Sequence, residues 1–243
     1  MLTRTASSGK LLCRRVFPAL LLSLLLLRPC PAQPVPTAHP AADSGAETYR
    51  GRIESVTRIG ARTADEVRTY LRAKKIPHVP AHGVVLYRIL YATPDVRGRE
   101  TVASGVVAVP SDLSEAAPLV SFQHGTVTAR DRVASVYGFD PVSLVLGSSG
   151  YVTVLPDYLG LGTSEGLHPY VHAASLATAI VDLLRAVRTF CRDEGVALNG
   201  QLFLTGYSEG GYATLAAHRA LERDHAREFT VTASAPMAGP YDL

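Results

Sequence analysis

The feature that most restricts this chain is a serine bracketed by glycines, set between two segments of different periodicity. Gln201-Leu202-Phe203-Leu204-Thr205 is an apolar run of β-forming residues, and Tyr212-Ala213-Thr214-Leu215-Ala216-Ala217 opens a stretch suited to a helix. Only Gly206-Tyr207-Ser208-Glu209-Gly210-Gly211 separates them. A chain that turns from strand to helix in so few residues strains the torsions at the apex and crowds neighbouring side chains. Glycine at 206 and 210 removes that crowding and lifts the Ser208 hydroxyl clear of the sheet edge. The helix N-terminus beneath favours negative charge at the same spot. A bare G-x-S-x-G is a weak signal, arising by chance in roughly one in ten chains of this length at ordinary Gly and Ser frequencies. An ordinary glycine-rich turn reads the same way, so the weight lies in the flanking strand and helix.

The rest of the chain repeats this rhythm. Thr63-Ala64-Asp65-Glu66 opens a helix through Lys75, with acidic residues in its first turn and lysines in its last, as the helix dipole favours. Val84–Tyr91 and Thr101–Val109 are β-rich runs about the turn Pro94-Asp95-Val96-Arg97-Gly98, which predicts an antiparallel hairpin. Beyond Pro118, strands are expected at Leu119–Gln123, Tyr151–Leu155, Gln201–Thr205 and Phe229–Ala235. Helices are expected at Asp140–Ser149, from about His172 to Cys191, and at Glu209–Glu222. In the second of these, Leu176, Ile180, Leu183, Leu184, Val187 and Cys191 share one face. Six strands with an antiparallel start and later βα units predict an α/β fold: a mostly parallel sheet with helices on both faces.

The ends of the chain read differently. A basic stretch to Arg15, the 12-residue apolar run Val16–Leu27 and the small residues before Gln33 predict a secretory signal peptide at 1–32. The run is well short of the ~20 residues needed to span hydrocarbon, so no stable membrane anchor is expected. Residues 33–62 read as a Pro- and Ala-rich spacer and N-terminal extension, and 63–243 as a folded portion. Five of the 24 basic residues and none of the 21 acidic ones lie in positions 1–32, so the net charge of +3 becomes −2 beyond them. That removes the main support for a nucleic-acid partner. Beyond position 32, Cys191 is the single cysteine and reads as a small core residue, not half of a disulfide.

Four motifs in order resemble the α/β-hydrolase superfamily, and within it the secretory lipases and bacterial esterases. They are Gln123-His124-Gly125-Thr126, Pro156-Asp157-Tyr158-Leu159-Gly160-Leu161-Gly162-Thr163-Ser164, the turn at Ser208, and Ala238-Gly239-Pro240-Tyr241-Asp242. The resemblance runs from about Gly83 to the C-terminus. It implies Ser208 as a nucleophile forming an acyl-enzyme, with the backbone N–H groups of Glu209 and Thr126 as the oxyanion hole. It implies that His124 shapes its loop by hydrogen bonds and is not the base, and that Asp157 ties down the Gly160/Gly162 loop. The Glu209 side chain reads as helix-end stabilisation, and His168, in a loop before Pro169, as a solvated surface histidine in preference to one lining the mouth of the site.

A serine needs an imidazole to take its proton and a carboxylate to orient that imidazole. In this superfamily the chain order is Ser, then Asp or Glu, then His. The last histidine here is His225, and no residue fits the histidine role. Asp242 stands where a minority of relatives place the acid. The chain is therefore expected to be the N-terminal part of a longer hydrolase with its C-terminal strands missing, and to have little turnover by itself. The expected activity is hydrolysis of small-molecule or lipid carboxylic esters, by a secreted or periplasmic protein, without metal or cofactor. Two alternatives stand beside it: a serine peptidase resembling prolyl oligopeptidase, and a catalytically dead hydrolase fold kept as a binding module.

Overall fold

The computed structural model describes residues 49–242. The signal peptide expected at 1–32, the expected spacer up to residue 48, and Leu243 lie outside the described residues. Twelve elements follow in chain order: β1 (Ile53–Arg62), α1 (Ala64–Ala73), β2 (Val84–Pro94), β3 (Glu100–Pro110), β4 (Ala117–Gln123), α2 (Ala134–Tyr137), α3 (Pro141–Ser148), β5 (Val152–Pro156), α4 (Ala173–Asp193), β6 (Leu198–Tyr207), α5 (Glu209–Asp224) and β7 (Ala233–Met237).

The strands form one sheet in the order β1-β2-β3-β5-β4-β6-β7. β1, β2, β3 and β5 pair antiparallel in succession, and β5, β4, β6 and β7 are parallel. The parallel run and helix-covered faces match the expected α/β-hydrolase sheet, while the antiparallel half is one strand larger than the sequence suggested. Residues 53–62, assigned above to an extension, are that strand. β1 pairs with β2 from Ile53↔Tyr91 to Arg62↔Val84, with register shifts at Ile53/Ser55 and Arg58/Gly60. The sheet therefore has seven strands, not six.

The two faces are covered unequally. Leu176, Ile180, Leu183, Leu184 and Val187 of α4, with Ala213, Ala217 and Leu221 of α5, bury against Tyr91, Val107, Val154 and Leu204. On the other face Val67 and Leu71 of α1 and Leu144 of α3 pack on Val84, Leu86, Val106 and Leu155. Helix ends are closed locally. Thr63 and Glu66 form a reciprocal capping box on α1, and Asp140 accepts the Val142 amide at 2.7 Å with Pro141 in the first turn of α3. The last strand starts at Ala233 instead of Phe229. Phe229 is buried in the preceding turn, where its amide donates to the His225 carbonyl.

Register decides where chemistry gathers. Gln123 of β4 is paired with Gly206 of β6, and Tyr207 with Met237 of β7. The segments leaving β4, β5, β6 and β7 consequently emerge at one edge of the parallel run, the usual place for a site in an open α/β sheet.

Candidate active site

Ser208 sits between β6 and α5 with φ 58° and ψ −124°, a left-handed torsion that a non-glycine residue adopts at a cost of roughly 1–3 kcal/mol. The surroundings hold it there. Its amide donates to the Met237 carbonyl at 2.9 Å, and its own carbonyl accepts from Gly211 at 2.9 Å and Tyr212 at 3.2 Å. The residue is partly exposed. The glycines have a steric reason: a Cβ on Gly206 would lie 2.7 Å from the Gln123 carbonyl, and one on Gly210 would overlap the same oxygen. The turn and the end of β4 touch through backbone, and no side chain fits between them.

This approach brings the next loop to the serine. A Cβ on Gly125 would lie 3.2 Å from the Tyr207 carbonyl and 3.6 Å from the Ser208 Cβ, so His124-Gly125-Thr126 lies against the turn. Glu209 begins α5, and an amide in a helix's first turn has no carbonyl one turn back to donate to. Beneath them the Gln123 side chain is buried between the hydroxyls of Ser121 at 2.6 Å and Thr214 at 2.8 Å.

His124 is committed to the loop. Its Nδ1 lies 2.7 Å from the Gly125 carbonyl and its Nε2 3.2 Å from the Asp157 carbonyl. The Tyr158 ring packs against it, tilted by 36°, at 4.3 Å between ring centres, and its hydroxyl donates to the His124 carbonyl at 3.1 Å. Asp157 is buried and accepts the Ser104 hydroxyl at 2.6 Å and, more weakly, the Ser135 amide at 3.4 Å. Burial pushes its carboxyl upward, against the opposing pull of Ser104 and Ser135. A Cβ on Gly162 would meet both Asp157 and Ser104, which explains a glycine where the loop crosses that pair.

Two side chains depart from their sequence readings. His168 is not a solvated surface residue: its side chain is 11% exposed and its Nε2 lies 2.7 Å from Glu209 Oε1. Glu209 does more than stabilise a helix end. Its carboxyl group is wholly buried, also accepts the Val171 amide at 3.4 Å, and has an Oε2 without a protein partner. His168 Nδ1 faces the Leu159 carbonyl at 2.9 Å, and Tyr170, two residues on, hydrogen-bonds Thr126 Oγ1 at 3.1 Å. Burial lowers the His168 pKa, but the Glu209 and Leu159 hydrogen bonds outweigh it and the net shift is upward.

Asp242 is exposed five residues beyond β7. The seven histidines among the described residues are bonded elsewhere, to Ser148, to the Ser111, Gly125, Asp157 and Leu159 carbonyls, to Glu209, Ser175, Ser234 and Arg185, and none to Ser208. Among the described residues no three His, Cys, Asp or Glu side chains are grouped to hold a metal ion, and no helix is long and apolar enough to cross a membrane. A cavity of about 230 Å³ lies beside the His124 loop, lined by Phe122, Thr126, Val133 and Leu155. A larger groove of about 900 Å³ between α4 and α5 does not reach Ser208.

Residues 138–239 match the family of secretory lipases. Among solved structures, the rice cell wall degrading esterase LipA from Xanthomonas oryzae is 35% identical with a TM-score of 0.74, over 80% of this chain and 52% of that one. A Legionella pneumophila protein described as a hydrolase is 32% identical with a TM-score of 0.71, over 77% of this chain and 52% of that one. Candida antarctica lipase A shares the fold at 19% identity, TM-score 0.54, over 79% and 43%. The chain thus spans about half the length of these relatives. Among curated proteins none is similar enough in sequence to match. A turn that holds Ser208 strained beside the His124 loop, on a sheet of this strand order, agrees with those likenesses: the chain has the α/β-hydrolase fold and is similar, over the residues matched, to secretory lipases and to a bacterial esterase.

Proposed function

We propose that this protein is a serine hydrolase of carboxylic esters, exported by a signal peptide at 1–32, with Ser208 as its nucleophile. The observation that carries the reading is the left-handed Ser208, partly exposed and flanked by the start of α5 on one side and the Gly125–Thr126 loop on the other. The Ser208 oxygen adds to the ester carbonyl while a base takes its proton, and the carbonyl oxygen acquires negative charge. The amides of Glu209 and Thr126 receive that charge, aided by the N-terminal dipole of α5. Collapse expels the alcohol, which takes up a proton, and leaves an acyl-Ser208 that water hydrolyses. Asp242 is the candidate acid on this side of the fold, and the chemistry calls on no metal or cofactor.

Active-site labelling tests the reading. A fluorophosphonate probe is expected to attach to Ser208 in the intact protein, and Ser208→Ala to abolish both label and p-nitrophenyl butyrate hydrolysis, the latter by at least about 10³-fold. Label that persists in Ser208→Ala overturns it. A prolyl amide cleaved faster than the ester would move the assignment to a peptidase. Export is checked separately by N-terminal sequencing of the protein outside the cell, expected to begin at Gln33.

A further inference from the structure

We propose that the Glu209 side chain and His168 are positioning residues: a buried charged clasp that fixes the Glu209 amide and the Thr126 loop in one frame. The proposal deepens the hydrolase reading, and rests on it for the role of those two amides but not for the clasp itself.

The clasp joins three segments that are remote in sequence. Glu209 opens α5 directly after the serine, so its backbone cannot move without its side chain. That side chain holds His168 Nε2 at 2.7 Å and the Val171 amide at 3.4 Å, both in the loop between β5 and α4. The same loop returns to the other side of the serine through Tyr170, whose hydroxyl lies 3.1 Å from Thr126 Oγ1. Glu209, His168, Tyr170 and Thr126 thus form a bridge across the gap where the oxyanion is proposed to sit. A helix end would not require this carboxylate to be buried, because a first-turn charge is already stabilised at an exposed position. Here the group is desolvated, and with Oε2 lacking a protein partner its compensation falls mainly on His168.

The hydrogen bonds determine the proton state that the clasp needs. Nδ1 faces the Leu159 carbonyl and Nε2 faces the Glu209 carboxylate, and with Glu209 ionised both partners only accept. The ring satisfies both only as an imidazolium. A neutral ring carries one N–H, so one of the two contacts becomes acceptor against acceptor and opens. The ionisable groups set against the ring are Glu209 from α5, Tyr158 stacked at 5.8 Å, and Tyr170 edge-on at 6.3 Å from its own loop. Burial raises the Tyr158 phenol well above its ordinary value, so it adds no charge near neutral pH. Because the folded pKa of His168 is raised, the clasp contributes fully below the ordinary histidine value and is lost as pH rises through the folded one.

Nuclear magnetic resonance of the intact protein, observing the His168 ring and the Thr126 and Glu209 amides against pH, tests the clasp without any need for turnover. In the wild type the ring is expected to titrate above the ordinary histidine value, with both amides moving at the same midpoint. Glu209→Gln should return that midpoint to or below the ordinary value. Tyr170→Phe, a change too mild to unfold the protein, should leave the ring titration in place and uncouple Thr126 from it. A Thr126 amide that ignores the His168 titration, or a midpoint unmoved by Glu209→Gln, overturns the proposal. The functional consequence is read on the same samples: fluorophosphonate labelling of Ser208 should slow by roughly 10- to 100-fold across the His168 midpoint, the cost of a partly misplaced donor. Coupled amides in a protein without label at any pH would sink the hydrolase reading and sustain the clasp; labelling independent of that midpoint would count against the clasp.

Discussion

At Gly210 a single methyl group would collide with the carbonyl of Gln123, a backbone atom at the end of β4 held in place by the pairing of that strand with β6. Gly210→Ala must therefore push α5 away from β4, and is expected to cost about 1–3 kcal/mol, as overpacking in a dense core does. Urea unfolding measures that loss, and the same displacement should slow fluorophosphonate labelling of Ser208. Cys191 is governed by burial in the opposite sense. It lies in the core under α4, and desolvation pushes its thiol up to about 12. It should stay inert to a disulfide reagent at pH 8 in the native protein and react stoichiometrically once denaturant unfolds it; rapid native reaction would mean that α4 opens locally. Both residues were legible in the sequence, Gly210 from the demands of a tight turn and Cys191 from its place on a 3.6-residue stripe. Glu209 and His168 were not, because neither spacing nor composition shows that residues 41 positions apart meet below a surface.

Elements closed by local chemistry could be read directly from the chain. Thr63 and Glu66 cap α1 reciprocally, so Thr63→Ala leaves orphan amides at that end and is expected to cost about 1 kcal/mol, measurable as a lower urea midpoint without a change in slope. The long helix needed only its apolar face, and the hairpin of β2 and β3 only its β-rich runs and the Asp95 turn, where Asp95 accepts the amides of Arg97 at 2.8 Å and Arg99 at 3.0 Å. β1 escaped notice for a physical reason. It is an edge strand whose residues are mostly exposed, and two register shifts break the alternation that would reveal it. Its place is set by pairing with β2, which no local pattern encodes. Phe229 misled in the reverse direction: an apolar residue beside β-formers reads as a strand start, yet it fills a gap in the core before the sheet resumes at Ala233.

A buried carboxylate outside the candidate site adds to the sheet and core in tying these elements together. Asp182 of α4 has no exposed side-chain surface, and four elements or loops converge on it or on its partners. Arg50, ahead of β1, reaches it at 3.1 Å, the Thr93 hydroxyl of β2 at 2.8 Å, and Arg185, one turn along α4, at 2.8 Å. Arg185 continues to Glu228 at 2.6 Å, and Arg188 holds the Glu228 carbonyl at 2.9 Å, so the turn before β7 hangs on the same seam. The Arg185 guanidinium beside Glu228 holds that carboxyl below the ordinary range despite partial burial. This contribution is present above the unfolded value and lost as pH falls through the folded one, the reverse of the His168 clasp. Breaking a buried pair by removing one partner typically costs 3–5 kcal/mol. Arg50 and Arg185 keep 17% and 20% of their side-chain surface in solvent, so part of their charge is relieved by water. Asp182→Asn, which preserves shape and one acceptor, is therefore expected to cost about 2–4 kcal/mol at pH 7, and visibly more than Arg50→Ala, which leaves Asp182 still paired with Arg185 and Thr93. Equilibrium urea unfolding of the two variants ranks them; equal losses would show that the Arg50 pair carries the seam and that the Thr93 and Arg185 contacts to Asp182 add nothing.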